Sequence, residues 1–190
     1  MKKSITLVAS LLLTTSYSLG ESTKVPNIVV ILADDMGYAD VGFNGCKDIP
    51  TPNLDALADS GVSFVQGYVS ASVCGPSRAG LLTGRYQQRF GCGENAPEEG
   101  WPDKPRCRDA GVPKSEQLIS ELLKPAGYRT GVIGKWHLGI DEPLRPNSRG
   151  FDYYYGFLNG AHSFTHANRV WGKHPGLWPI YRNNEPMDYQ

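Results

Sequence analysis

A cysteine, a proline and an arginine lie close together in the segment Cys74-Gly75-Pro76-Ser77-Arg78. Proline is favoured in the first turn of an α-helix and glycine just after the last, so the sequence predicts a short helix over Pro76–Thr83 that Gly84 ends. The free N–H groups and the dipole at such a helix start attract anions, and Arg78 adds a positive charge one turn along. The pattern fits a nucleophile at an anion-binding helix start, and equally a buried cysteine beside a surface arginine.

Two adjacent carboxylates, Asp34 and Asp35, follow a continuous apolar and β-branched run from Val25 to Leu32. Such a run predicts a strand that is covered on both faces in an α/β sheet. Ligands of α/β folds bind at the carboxyl ends of the strands, which is where these two aspartates stand. Most Asp-Asp pairs are solvated turn residues, and that reading applies here as well.

Other segments supply the elements that must position these residues. Helices are predicted from Thr51-Pro52 to Gly61 and over Ser115–Leu123, where Pro125 ends or distorts the helix, and strands over Val62–Tyr68 and Tyr128–Ile133. Residues 91–113 combine glycine, proline and charge without periodicity, which predicts a long loop. The alternation of helices and strands predicts a layered α/β fold with a largely parallel sheet.

The first twenty residues have the pattern of a secretory signal peptide. Lys2 and Lys3 precede an apolar run, Ile5–Leu13, and small residues follow up to Gly20. The run is too short to span a bilayer comfortably, so we expect cleavage, export to the periplasm or the medium, and no stable membrane insertion. The chain has 19 basic and 19 acidic residues, so its net charge implies no attraction to nucleic acid.

The four cysteines, Cys46, Cys74, Cys92 and Cys107, would then lie in an oxidising compartment. Cys92 and Cys107 could pair across the polar loop between them. The sequence does not determine the connectivity, and an odd number remains if Cys74 has a chemical role.

Two motifs resemble the signatures of the type I sulfatases, an enzyme family that hydrolyses sulfate esters. Cys74-x-Pro-Ser-Arg resembles the first, in which the cysteine is oxidised after translation to formylglycine. The segment Gly127–Leu138, with Gly-Lys-Trp-His near its end, resembles the second. Asn27–Gly37, Thr51–Asp55 and Leu82–Arg85 are also similar to family segments, so the resemblance runs from about Pro26 to Gly160.

The resemblance implies an alkaline-phosphatase-like α/β fold and assigns roles to individual residues. Asp34, Asp35 and residue 74 would bind one divalent cation, most often calcium, through oxygen ligands. Arg78 would hold the formylglycine hydrate, Lys135 would bind the sulfate or the bridging oxygen, and His137 would help to deprotonate the hydrate. The further candidate for binding the substrate sulfate is His162, in a region where the similarity is looser.

The family's mechanism also implies partners. One hydroxyl of the hydrate attacks sulfur and releases an alcohol, and the second then expels sulfate and restores the aldehyde. The substrate would be an aryl or carbohydrate sulfate ester, and a formylglycine-generating enzyme would mature Cys74.

The sequence departs from the family mainly in length. The later metal ligands and the acid of longer family members have no counterpart here, so residues 25–190 are expected to be the N-terminal part of a catalytic domain, with a truncated sheet and no activity alone. Two alternatives stay open. One is a phosphodiester or phosphonate monoester hydrolase of the same superfamily, and the other is an inactive fragment that binds anions.

Overall fold

The computed structural model describes residues 25–95, 111–162 and 179–187 and divides the chain into two compact units, residues 1–36 and 37–190. In the first unit, the described residues form no helix or strand. In the second, the described α-helices are α1 Pro52–Ser60, α2 Cys74–Thr83 and α3 Ile119–Leu123, and the strands are β1 Gly131–Lys135, β2 Tyr153–Phe157, β3 Tyr181–Arg182 and β4 Glu185–Pro186. Short 3-10 helices lie between them at Tyr38–Asp40, Gly42–Asn44, Gln87–Phe90, Lys124–Ala126, Glu142–Leu144 and Pro146–Arg149.

The predicted helices form largely as expected. Helix α1 begins at Pro52 and is followed by Gly61, as the sequence predicts. Helix α3 ends at Leu123 as predicted but begins at Ile119, four residues later than Ser115, after the extended residue Leu118. Pro125 lies in a 3-10 helix that follows α3 and that Gly127 ends in the left-handed conformation. Among the described residues, every helix is too short or too polar to cross a bilayer.

The sheet has the order β1-β2-β3-β4 and is mixed. Strands β1 and β2 are parallel, whereas β3 and β4 add to β2 in antiparallel order. Gly156 lies opposite Gly134, so closely that a Cβ atom on Gly156 would collide with the Gly134 carbonyl group. Only glycine allows the two strands to pair here, and that pairing fixes the strand that leads to Lys135.

The hydrophobic core includes Ala79 of α2, Leu118 just before α3 and Tyr154 of β2. Trp136 also belongs to it, and its ring meets that of Phe151 edge to face with 5.8 Å between the ring centroids. Tyr154 is fully buried, and the loss of solvent raises the pKa of its hydroxyl group. Of the three consecutive tyrosines 153–155, the middle one is therefore part of the core, while Tyr153 is exposed.

Two strand predictions are wrong. The structure has no strand at Val25–Leu32 or at Val62–Tyr68, and the apolar side chains of both segments are exposed. An apolar run favours a strand, but hydrogen bonds to a neighbouring strand are needed to form one. The third predicted strand forms later than expected, as β1, and lies at a sheet edge with Ile133 76% exposed.

An ionic contact joins the end of α3 to the start of β2 and predicts a dependence of stability on pH. The Lys124 ammonium lies 2.8 Å from Asp152 Oδ1, and the backbone N–H of Thr130 donates to Asp152 Oδ2 at 2.9 Å. These contacts lower the pKa of Asp152 from 3.8 to about 2, with the Lys124 contact as the largest cause. Because the folded pKa is the lower one, the stabilisation is complete above about pH 4 and is lost as the pH falls towards 2.

We therefore expect Asp152→Asn to lower the melting temperature near neutral pH, with a difference from the wild type that shrinks between pH 4 and 2. Thermal unfolding followed by circular dichroism at several pH values measures this difference. The exposed Asp48→Asn is the matched control, for which no such trend is expected. A difference that stays constant down to pH 2 would contradict the assigned role of Asp152.

Candidate active site

Cys74 is the first residue of helix α2, which begins two residues earlier than the sequence predicts. The residue before it, Val73, is extended, and its carbonyl oxygen accepts the first helical hydrogen bond from Ser77 at 3.1 Å. Pro76 is thus the third residue of the helix, a position at which its missing N–H costs no helical hydrogen bond. The early start places the Cys74 side chain directly on the first turn.

His137 lies against the Cys74 thiol. The distance from Cys74 Sγ to His137 Nδ1 is 3.2 Å. The backbone of His137 is left-handed, with φ 57°, and its N–H donates to the carbonyl oxygen of Leu158 at 3.0 Å. This bond continues the pairing of β1 and β2 past the end of the strands, so the sheet itself fixes the imidazole against the helix start.

Arg78 joins the two motifs a second time. Its Nη1 donates to the backbone carbonyl oxygen of Lys135 at 2.8 Å. Both side chains are half-buried. Cys74, Arg78, Lys135 and His137, which the sequence singles out from two segments about sixty residues apart, therefore lie together where α2 begins and β1 ends.

Asn95 is a member of this cluster that the sequence analysis missed. Its Oδ1 accepts a hydrogen bond from the backbone N–H of Gly75 at 2.9 Å and lies 3.7 Å from Cys74 Sγ. It belongs to the polar segment predicted as a loop, where no periodicity or motif marks one residue above another. A single asparagine gives no sequence signal for such a contact.

The remaining predicted site residues are His162, Asp34 and Asp35. The His162 ring packs against Phe157, with 5.3 Å between the ring centroids. Asp34 and Asp35 lie in the first unit, are exposed, and follow one another in a turn where Asp35 has φ 55°. Within residues 25–95, 111–162 and 179–187, no three His, Cys, Asp or Glu side chains form a metal-binding group.

Some sequence predictions fall on parts of the chain that the structure does not describe. The predicted signal peptide, residues 1–20, and Cys107 lie outside the described residues. Cys46 and Cys74 carry free thiols, and the Cys92 thiol donates to the carbonyl oxygen of Gly111 at 3.6 Å.

A sequence model of the sulfatase family matches residues 26–185. The chain belongs to the sulfatase family. It is similar to arylsulfatase G of Canis lupus familiaris, with 48% identity over 161 residues, which cover 85% of this chain and 28% of that protein. It is also similar to N-acetylgalactosamine-6-sulfatase of Mus musculus, with 41% identity over 84% of this chain and 30% of that protein. This sulfatase-family chain thus spans less than a third of the length of these relatives.

A solved structure of Ps i-CgsB is similar in fold as well as in sequence. It superimposes with a TM-score of 0.67 at 54% identity, over 73% of this chain and 29% of that chain. A complex of Ps i-CgsB with k-i-k-neocarrahexaose gives a TM-score of 0.63 at 52% identity, over 68% of this chain and 27% of that one. These similarities confirm the α/β, alkaline-phosphatase-like fold class that the sequence predicts for this sulfatase-family chain.

Proposed function

We propose that this protein hydrolyses a sulfate monoester and that Cys74, converted to formylglycine, supplies the nucleophile. The observation that carries the proposal is the 3.2 Å distance between Cys74 Sγ and His137 Nδ1 at the start of helix α2. The sulfur marks the position that a hydroxyl oxygen of the matured residue would take. A hydroxyl at that position is within hydrogen-bonding distance of an imidazole nitrogen that can accept its proton.

The chemistry begins with a two-electron oxidation. A maturation enzyme with an external oxidant would replace the CH2–SH group of Cys74 by an aldehyde, the sulfur leaving as sulfide and the oxygen coming from water or the oxidant. Water then adds to the aldehyde and gives a hydrate with two hydroxyl groups. One hydroxyl loses its proton and its oxygen bonds to the ester sulfur, while the bond from sulfur to the ester oxygen breaks and the alcohol leaves with a proton.

The second hydroxyl completes the cycle. Loss of its proton to His137 lets the carbon–oxygen double bond form again, and the bond from carbon to the sulfated oxygen breaks, which releases sulfate. The aldehyde is regenerated without an attack of water on an anionic sulfur atom. An unmodified cysteine or serine has one heteroatom on that carbon and lacks this route.

Positive groups around residue 74 suit a substrate that carries an anion. The start of α2 supplies the positive end of the helix dipole. The Arg78 guanidinium lies on the next turn, where its bond to the Lys135 carbonyl group keeps it on the side of β1. Arg78 would hold the hydrate, Lys135 would bind the sulfate or the ester oxygen, and His162 would add a further contact with the sulfate.

A divalent cation, which we propose to be calcium, would be held by Asp34, Asp35 and residue 74. The donor chemistry fits, because adjacent exposed carboxylates supply the hard oxygen ligands that calcium prefers. When bound, such a cation makes the hydrate hydroxyl more acidic and offsets the charge of the sulfate oxygens.

The substrate class that we favour is a carbohydrate sulfate, with aryl sulfates as the usual model substrates. Two similar proteins support this choice, one by its name, N-acetylgalactosamine-6-sulfatase, and one by its complex with a neocarrahexaose. Residues 1–20 would direct export to the periplasm or the medium, and residues 25–190 would belong to the catalytic domain.

The test is the mass of the tryptic peptide that ends at Arg78, from protein exported by its own host. This peptide starts after Lys47, and Cys74 is its sole cysteine, so the other thiols cannot confuse the result. We expect the mass of formylglycine at residue 74 and faster turnover of 4-nitrophenyl sulfate than of an aryl phosphodiester. An alkylatable Cys74 in a host that matures other sulfatases would refute the mechanism, and a preference for the phosphodiester would refute the substrate class.

A further inference from the structure

We propose that Asn95 is a positioning residue of this site, which caps helix α2 and holds one hydroxyl group of the hydrated residue 74. The second part of the proposal rests on the proposed function, because it requires formylglycine at residue 74. The first part concerns the helix start and is independent of it.

The start of α2 lacks a cap from its own sequence. Val73, in the capping position, has no side-chain oxygen, whereas serine, threonine, aspartate or asparagine usually supplies one there. Asn95 provides the missing acceptor from twenty residues further along the chain, where its Oδ1 accepts from the N–H of Gly75 at 2.9 Å. Helix α2 is therefore capped by another segment, and that segment is fixed beside Cys74.

The same oxygen faces the reactive side chain. Because the N–H of Gly75 can only donate, the Asn95 atom that meets it is the amide oxygen, which has a second lone pair available to another donor. Cys74 Sγ lies 3.7 Å from this oxygen and 3.2 Å from His137 Nδ1. The side chain of residue 74 thus lies between two hydrogen-bonding groups that come from different segments.

Two partners match the two hydroxyl groups of a hydrate. Hydration adds water across the carbon–oxygen double bond and creates two O–H donors, whereas the aldehyde has none to give to Asn95. A hydrogen bond from one hydroxyl to Asn95 Oδ1 therefore favours the hydrate over the aldehyde, by about twofold to tenfold for an ordinary hydrogen bond. The other hydroxyl is left for His137, so the two oxygens of the hydrate are held in different orientations.

Gly75 packs closely against the Asn95 side chain. A Cβ atom at residue 75 would lie 2.8 Å from Asn95 Oδ1, too close for contact, and 3.5 Å from the His137 carbonyl oxygen, an ordinary distance. An alanine at residue 75 would therefore displace the Asn95 amide group and leave the rest of the site in place. The two substitutions should be non-additive, since each removes the same contact.

The experiment compares Asn95→Ala, Asn95→Asp, Gly75→Ala and the double variant in protein exported by its own host. The peptide that ends at Arg78 gives the formylglycine content of each. The rate of oxime formation with methoxyamine, and with the bulkier O-benzylhydroxylamine, then reports the free aldehyde in the folded protein. Asn53→Ala, in an exposed turn of α1, and Gly93→Ala, where a Cβ has room, are the matched controls.

We expect Asn95→Ala to speed oxime formation about twofold to tenfold, by the same factor for both reagents. If the substitution only opened the segment around residue 95, the rate with O-benzylhydroxylamine would rise by a larger factor than the rate with methoxyamine. Asn95→Asp keeps the acceptor oxygen and should react at or below the wild-type rate, Gly75→Ala should resemble Asn95→Ala, and the double variant should be no faster than either.

Two results would overturn the proposal. One is an Asn95→Ala variant that forms the oxime at the wild-type rate, and the other is a double variant in which the rate increases of the two single substitutions multiply. If residue 74 is cysteine in every protein, the proposed function fails and the hydrate contact fails with it. The capping contact is still tested in that case. It predicts a lower melting temperature for Asn95→Ala that Asn95→Asp restores, and equal melting temperatures for both variants would refute it.

Discussion

Substitution of Cys74 by serine is expected to convert the protein from a catalyst into a reagent that reacts once. Serine keeps one hydroxyl group where Sγ now lies, 3.2 Å from His137 Nδ1, so its oxygen can still attack the ester sulfur and release one alcohol. The resulting sulfate ester has no second hydroxyl on the same carbon to expel sulfate. Steady-state turnover should fall by a factor on the order of 10⁴ or more, as expected when a covalent nucleophile is lost.

The measurement is a burst experiment with 4-nitrophenyl sulfate, followed by mass spectrometry of the peptide that ends at Arg78. It uses the complete catalytic domain as its own host exports it, because residues 25–190 alone are expected to be inactive. Cys74→Ser should release at most about one nitrophenol per protein molecule and should carry a sulfate on residue 74. Cys74→Ala should show neither the burst nor the sulfate. Cys46→Ser, at another described free thiol, is the control and should keep full turnover. Sustained turnover by Cys74→Ser at a rate near that of the wild type would rule out a mechanism that needs two hydroxyl groups.

The part of the site that could be predicted from the sequence depends on local signals. Cys74 and Arg78 lie one turn apart on a helix whose proline and closing glycine are visible in the sequence. Lys135 is the last residue of β1 and His137 comes two residues later, and the Arg78 and Cys74 contacts bring both to the helix start. Their catalytic roles stay predictions that the experiments above test.

The remainder depends on contacts between distant segments, which no local pattern encodes. Val25–Leu32 and Val62–Tyr68 have strong β-propensity but form no strand, because pairing is decided by a partner and not by the run itself. Strand β2 lies in a segment for which the sequence predicts no element, and its parallel register with β1 depends on the close approach of Gly134 and Gly156. Asn95 reaches Gly75 across twenty residues, so its role in the site appears only in three dimensions.

Arg149 is the centre of a buried hydrogen-bond network, and its loss is the substitution that we expect to destabilise the fold most. Its side chain is 1% exposed, and its guanidinium donates to the carbonyl oxygens of Val112 and Glu116 at 2.7 and 2.6 Å and to Glu121 Oε1 at 3.1 Å. The planar guanidinium carries five donors and satisfies three acceptors in different directions. The compact ammonium group of a lysine could not reach all three acceptors at once. Arg149 thereby fixes the segment before α3, α3 itself and the turn before β2 to one another.

We expect Arg149→Ala to lower the free energy of unfolding by about 3–5 kcal/mol, because it leaves buried carbonyl groups and a partly buried carboxylate without their partner. Arg149→Lys should lose less, since it keeps the charge and some of the bonds. Urea denaturation followed by circular dichroism measures both, and the exposed Arg129→Ala should change stability by less than about 0.5 kcal/mol. Val112 is also bonded to the segment that follows His137, through its N–H and the Leu138 carbonyl oxygen at 3.1 Å. The loss of Arg149 should therefore loosen the site as well as the core, and an Arg149→Ala variant as stable as Arg129→Ala would show that the network does not hold the two together.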